Sequence, residues 1–399
     1  MSGTRRKPGR MKPFIGRFEV RLLELGYSPG TVRGVLKQVG QLGLWMESEG
    51  IEASELTKDV IGGFICARQA AGRRRVPSVR SFGSLLEFLR SEGVLLPETA
   101  APLTPVDDLV DRYKKWLVLD RGLAAATVLR YEKLARRFLQ EGEAVRDRFV
   151  DDLSAVDVVG FLVRECGRLQ VDSAKGRVAE LRSLLRFLYL TGVTPVALAT
   201  AVPPVAGWRD TRVPVGIAAS DVQRLLDGCD RSTPGGARDF AILTLVARLG
   251  LRSIEVARLE LGDIDWRAGE IAVRGKARRQ DRLPLPNDVG EALTAYLCGF
   301  RPATSIRQVF LAGKAPMRAI RPDLVSDVTR RACQRVGIPG VGAHRLRHAL
   351  ATELLRQGAT LVEVSQVLRH RDLATTAVYA KVDLGSLRDV AQPWPGAAQ

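Results

Sequence analysis

Histidine is almost missing from this chain: its 399 residues hold three, His344, His348 and His370, all within one 27-residue stretch. Cysteine is also sparse. The five, Cys66, Cys166, Cys229, Cys298 and Cys333, are far apart and odd in number. No CxxC or Cys/His spacing occurs, which argues against a disulfide framework and a zinc site and fits thiols in a reducing cytosol. Long apolar runs are lacking too. The most apolar, FAILTLVARLGL, is 12 residues long and contains Arg248. A membrane span needs about 20 such residues, so this run reads as a buried helix. MSGTRRKPGRMKPF at the N-terminus is basic, with no apolar stretch behind it. It is expected to be a solvated tail or a DNA contact rather than a signal peptide. There is no Walker A motif and no acidic metal triad.

Positive charge is what the chain has in excess. Lysine and arginine number 61 against 44 acidic residues, a net +17. Of the 61, 50 are arginine, a bias that base composition of a genome can produce alone. The excess is +6 over residues 1–100, +2 over 101–200 and +9 over 201–399, so it is no sticky tail. Basic charge spread along several domains points to a polyanion, most often nucleic acid.

Length alone implies two or three domains. Two proline-rich stretches, LPETAAPLTP (96–105) and AVPPVAGWRDTRVPVG (201–216), are expected to divide them. The segments before residue 201 resemble each other. SLLEFLRSEGV (84–94) matches SLLRFLYLTGV (183–193), and Gly26 and Thr31 fall over Gly122 and Thr127. A period near 100 residues suggests a duplicated domain rather than a solenoid. Both copies show the three-and-four apolar spacing of helices, ended by glycine. Further on, AASDVQRLLDGC and RDFAILTLVARLGL read as helices, with Ser220 or Asp221 and Asp239 as expected caps. EIAVRGKARRQDRLPLP (270–286) reads as a β-hairpin with Lys276 near its tip.

The histidine stretch carries the chemistry. His344 and Arg347 sit at i and i+3, so a helix puts them on one face. An imidazole beside a guanidinium makes a poor core and a good anion site, because arginine's planar fork matches two phosphate oxygens. His348 reads as a supporting or packing residue. In RHRDLATTAVY, Asp372 is placed to cap a short helix, and Tyr379 lies seven residues on, about two turns away. A phenol is a weak nucleophile at neutral pH unless cations stabilise the developing charge. In LGLRSIEVARL, Arg252 begins a helix with Glu255 one turn on to orient it. Lys276 is one of three lysines after residue 200.

GLRSIEVARLELGDIDW, VRGKARRQDRLPLP, HRLRHALATELL and LRHRDLATTAVYAKV occur in that order over about 130 residues. Together they resemble the successive signatures of the tyrosine recombinase, or phage integrase, family. The resemblance covers roughly 214–385, and the helical segment 105–200 is similar to the family's core-binding domain. It implies a mainly α, multidomain fold. Two helical SAM-like DNA-binding units would precede an α+β catalytic domain with a small antiparallel sheet. The implied organisation is a basic tail (1–12), a first helical unit (13–99), a core-binding domain (105–200), a linker (201–213), the catalytic domain (214–385) and a C-terminal tail (386–399). That tail would dock on a neighbouring copy.

The resemblance also implies roles. Arg252 and Arg347 would grip the scissile phosphate, and His344 would assist proton transfer. Lys276 would protonate the leaving 5′ oxygen, and His370 would bond a non-bridging oxygen. Tyr379 would attack phosphorus to form a 3′-phosphotyrosine, with Glu255 and His348 in support. No cofactor and no metal are implied. The expected partners are double-stranded DNA sites, three further copies in a tetramer spanning two sites, and accessory DNA-bending or sister recombinase proteins. The expected setting is bacterial cytoplasm at the nucleoid. A type IB topoisomerase-like strand transferase, or an accessory DNA-binding protein with a retired site, are the alternatives. One departure stands out: the family commonly has glycine before the second histidine, where this chain has Arg369. Arg371 likewise replaces a frequent small polar residue. An arginine at 369 is expected to contact DNA or to alter how His370 is presented.

Overall fold

The computed structural model describes residues 9–73, 76–96, 104–144, 150–206, 216–275, 280–370, 375, 376, 378 and 379. Lys276, Arg371, Asp372 and the C-terminal tail lie outside the described residues, as do residues 1–8 of the basic tail.

Among the described residues, eight α-helices precede residue 200, in two sets of four. The first set is α1 (Ile15–Glu24), α2 (Pro29–Ser48), α3 (Lys58–Ala70) and α4 (Gly83–Ser91). The Ser28 and Thr57 side chains accept hydrogen bonds from the first turns of α2 and α3, satisfying backbone donors that no helix can pair. Phe18, Leu22, Leu42, Met46, Ile61, Phe64, Phe82 and Leu89 form the core. Met11 joins them fully buried, so packing begins inside the stretch read as tail.

The second set is α5 (Pro105–Leu119), α6 (Ala125–Glu143), α7 (Ala155–Cys166) and α8 (Val171–Leu190). Thr104 with Asp107, and Ser154 with Asp157, make reciprocal capping boxes at α5 and α7. Its core is built from Val110, Tyr113, Leu117, Phe138, Phe161, Leu184 and Phe187. The matched SLLxFL segments lie in α4 and at the end of α8. The glycine pairs Gly26/Gly122 and Gly93/Gly192 all take positive φ.

The remaining part holds α9 (Ala219–Asp227), α10 (Pro234–Leu249) and α11 (Ser253–Arg258), then strands β1 (Ile264–Asp265), β2 (Glu270–Arg274) and β3 (Gln280–Pro284). α12 (Asn287–Gly299), α13 (Pro322–Arg335), α14 (Ala343–Arg356) and α15 (Leu361–Leu368) follow. The strands pair antiparallel in the order β1-β2-β3, with Ile271 opposite Leu283 and Ala272 opposite Arg282. Ile271 and Val273 point into the core and their neighbours do not, the two-residue alternation of a half-buried strand. α10 is the central helix, with Ile242, Leu243, Leu245 and Val246 nearly fully buried.

The expected caps are corrected. α9 follows Ala218 with no side-chain cap, and α10 is capped by Thr233. Asp239 lies within α10, buried and paired with Arg238 at 2.8 Å and Arg331 at 3.5 Å. A buried carboxylate needs a cation more than a helix end needs a cap.

The chain divides into two compact units, residues 1–96 with 212–399, and residues 97–211. Within the first, the Met317 amide donates to the Leu25 carbonyl at 2.7 Å, joining the first helical set to the α12–α13 loop. No helix among the described residues is long and apolar enough to cross a membrane.

Candidate active site

α14 is the spine of the site, carrying His344, Arg347 and His348 at i, i+3 and i+4. Arg347 is 2% exposed. Its guanidinium donates to the carbonyls of Gly250, just past α10, and Leu368, at the end of α15. Helix-terminal carbonyls carry partial negative charge, so they aim the guanidinium without neutralising it. Burial, then the charges of Arg252 and Arg369, lowers Arg347 to about 10, which still leaves it protonated at neutral pH.

Gly250 makes this approach possible. Its φ is +57°, and a Cβ there would stand 2.9 Å from Leu368 Cδ2 and 3.1 Å from Leu350 Cδ2. Only glycine takes that conformation freely while letting α10, α14 and α15 meet.

Arg252 begins α11 and is held by Glu255. Its amide donates to Glu255 Oε2 at 2.8 Å and its Nη1 to Oε1 at 2.7 Å. The Arg252 side chain stays 41% exposed while that of Glu255 is 2% exposed, so the carboxylate anchors and the arginine presents. Burial alone would raise the Glu255 carboxyl. Arg369 and the bonds from Arg252 outweigh it and hold the group below the usual range.

The histidines are kept neutral. Burial, then Arg347 and Arg252, lowers His344. His348 is lowered to about 4 by burial, then by His344, Arg345 and Arg347. His370 also falls to about 4, through burial and then Arg347, Arg252 and the other two rings. A neutral imidazole offers one donor and one acceptor. The His344 and His348 rings stand 4.2 Å apart, edge to face.

Tyr379 is 2% exposed, against Ala351, Val364 and Leu368. Its hydroxyl lies 2.6 Å from His348 Nδ1. Burial raises the phenol, with Arg347 partly offsetting it. The His370 ring lies parallel to that of Tyr379 at 6.4 Å, and its Nδ1 bonds Thr376 Oγ1 at 2.7 Å. That partner fixes the ring and leaves Nε2 as its other polar atom.

Seven of the eight expected residues therefore meet: Arg252, Glu255, His344, Arg347, His348, His370 and Tyr379. Lys276 lies outside the described residues. Of the two expectations for Arg369, a DNA contact and an altered presentation of His370, the structure speaks against the first: its side chain is 6% exposed and turned inward onto Glu255. Thr376, Gly250 and the Leu368 carbonyl were not foreseen. The TT pair between His370 and Tyr379 was the one visible hint, whereas Gly250 reaches Arg347 across 97 positions. A cleft of about 670 Å³, lined by Gly26, Arg238, Tyr296, Lys314, Met317 and Arg331 among others, holds none of these site residues.

A buried arginine aimed by two carbonyls, a second arginine on a carboxylate, neutral histidines and a buried tyrosine are an arrangement suited to phosphoryl transfer. Comparison with known proteins agrees. Residues 216–385 match the Phage integrase family, and residues 110–192 match the Phage integrase, N-terminal SAM-like domain. The chain is 39% identical to the putative integrase/recombinase y4rA of Sinorhizobium fredii, over 99% of this chain and 97% of that protein. It is 32% identical to the tyrosine recombinase XerD of Mycobacterium tuberculosis, over 71% of this chain and 95% of the relative. Among solved structures, XerH site-specific recombinase in a post-cleavage complex with a palindromic difH substrate aligns with TM-score 0.58 at 17% identity. That match covers 75% of this chain and 98% of XerH. A lambda integrase dimer bound to a COC′ core site aligns with TM-score 0.53 at 17% identity, over 68% of this chain and 94% of that one. At such identity these two speak for the fold. The protein is thus a DNA strand-transferring enzyme. It belongs to the phage integrase family of tyrosine recombinases.

Proposed function

We propose that this recombinase cuts and rejoins specific DNA sites through Tyr379, in the integration, excision or resolution of a mobile element. The observation that carries the proposal is the Tyr379 hydroxyl, 2.6 Å from His348 Nδ1 on the helix that also carries Arg347 and His344. Arg347 and Arg252 hold the non-bridging oxygens of the scissile phosphate, and His370 donates to one of them. The Tyr379 oxygen attacks phosphorus as its proton passes to the solvent or a neighbouring imidazole. The new bond is a 3′-phosphotyrosine. The bond to the 5′ oxygen breaks, and that oxygen leaves as a hydroxyl with a proton from Lys276. His344 stabilises charge and assists proton transfer. The free 5′ hydroxyl of a partner strand reverses the step, so the tyrosyl ester conserves bond energy and no nucleotide is hydrolysed.

Four copies on two sites exchange one strand pair and then the other, in the bacterial cytoplasm at the nucleoid, with accessory DNA-bending or sister proteins setting direction. The C-terminal tail (386–399) docks on a neighbouring copy. Residues 105–200 grip the core site. The first helical unit (13–99) is a duplicate of that domain and adds phosphate contacts. Support for the duplication is the four-helix order, with Gly26/Gly122 and Gly93/Gly192 all at positive φ. Without that unit, affinity should fall less steeply with salt.

The experiment is covalent trapping. Wild type and Tyr379→Phe are incubated with nicked duplexes tiled across the DNA flanking the gene, and run on denaturing gels. A protease-sensitive adduct with wild type alone supports the proposal. An equal adduct from both proteins moves the nucleophile elsewhere, and specific binding with no adduct points to a retired site.

A further inference from the structure

We propose that Arg369 is a positioning residue: its buried ion pair with Glu255 locks Arg252 and His370 into one rigid unit, replacing the glycine the turn would otherwise take. The inference rests on the site reading above and extends it to a residue that touches no substrate. Arg369 is the one non-glycine with positive φ among the described residues, at φ 54° and ψ 47°. A side chain there is strained unless its surroundings hold it. Here they do. Arg369 Nη2 donates to Glu255 Oε2 at 2.9 Å, and Nη1 reaches the carbonyls of Val367 at 3.1 Å and Leu249 at 3.4 Å. The two side chains of the pair are 6% and 2% exposed, so water competes little with it.

Each bond reaches a segment that carries a site residue. Glu255 is shared: Oε1 takes Arg252 Nη1, while Oε2 takes the Arg252 amide and Arg369. The Arg369 carbonyl accepts from Arg252 Nη2 at 3.3 Å. The Arg369 amide closes α15 on Gln366, and the next amide, that of His370, donates to Ser365 at 3.0 Å. The arginine that receives phosphate and the histidine that bonds it are thus tied through one residue. With two cations on one carboxylate, Glu255 neutralises Arg252 only in part and leaves it charge to offer a phosphate. Without Arg369 the carboxylate would belong to Arg252 alone, and the turn would lose its inward anchor. Glycine would relax the backbone and still lose the lock.

The test compares full-length wild type, Arg369→Gly and Arg369→Lys on the nicked duplex that traps wild type. Single-turnover adduct formation and DNA affinity on native gels are measured together. Arg369→Gly should slow adduct formation about tenfold or more with affinity within about twofold, and Arg369→Lys should recover part of the rate. A glycine variant as fast as wild type, or one losing rate and affinity equally, overturns the inference. Arg369→Lys keeps a side chain and a charge, so it serves if the glycine variant fails to fold. If wild type traps no duplex, the functional reading fails first. Thermal unfolding of Arg369→Gly, Glu255→Gln and the double variant then decides: non-additive shifts uphold the lock and additive ones overturn it.

Discussion

The arginine side of the site and its histidine–tyrosine side are held by different kinds of bond. Arg347 is buried between two carbonyls, and Arg252 stands on a buried carboxylate that Arg369 also grips. Each cation is braced from more than one segment. Among the described residues, the side-chain hydrogen bonds of the other side join uncharged groups, Tyr379 to His348 and His370 to Thr376, and ring packing does the rest. The arginine side keeps a charged shape. The other keeps uncharged groups, and an anion beside an imidazole would favour its protonated form.

The comparison is broken most severely at Arg347. Arg347→Ala should cut adduct formation by about 10²-fold or more, since a preorganised cation is lost. It should also cost about 3 kcal/mol, because two buried carbonyls lose their donor. Trapping rates and urea unfolding check both, and loss of rate alone would mean that Arg347 does not brace the fold. Gly250→Ala should cost about 1–3 kcal/mol through left-handed strain and crowding against Leu368. An unchanged unfolding midpoint would show that α10, α14 and α15 do not need this close approach.

The histidine side should answer to pH where the arginine side does not. His348 and His370 are held near 4, mainly by burial, against about 6.5 when unfolded. The folded state therefore binds fewer protons. The stability these rings contribute is complete above about pH 6.5 and is lost as pH falls toward 4. Thermal midpoints at pH 7.5, 6 and 5 should decline, and the decline should flatten in a His348→Asn, His370→Asn double variant. The smallest effect belongs to Thr376→Val. It removes the partner of His370 Nδ1 while keeping the side chain's shape. Adduct formation should slow about threefold to tenfold, with stability changed by less than about 1 kcal/mol. No change in rate would mean that the ring is fixed by packing alone.

Much of this site was legible before any coordinates. His344, Arg347 and His348 are neighbours because helical spacing makes them so, and α14 bears that out. Glu255 orients Arg252 one turn away by the same local rule. The alternation of EIAVR and the turn after it marked the hairpin. Helix caps were read less well, because Asp239 looked like an N-cap and is a buried partner of two arginines. Local propensity says where a carboxylate is welcome, while burial decides where it is needed.

The sequence by itself determined the chemistry and most of the elements. Residue types at helical spacing and a spread basic charge pointed to a mainly helical protein that binds a polyanion, and the resemblance of four motifs in order to the tyrosine recombinases implied a DNA strand-transferring enzyme. Only the tertiary structure decided what each charge is for. Arg369 read as a DNA contact or as a change in how His370 is presented, and its side chain is buried in an ion pair with Glu255. Gly250, Leu368 and Thr376 became parts of the site because folding carries their backbone or side-chain groups against Arg347 and His370. The physical reason is range. Capping and periodicity act over three or four residues and can be read along the chain, but the desolvation that makes an ion pair structural depends on segments about a hundred residues apart.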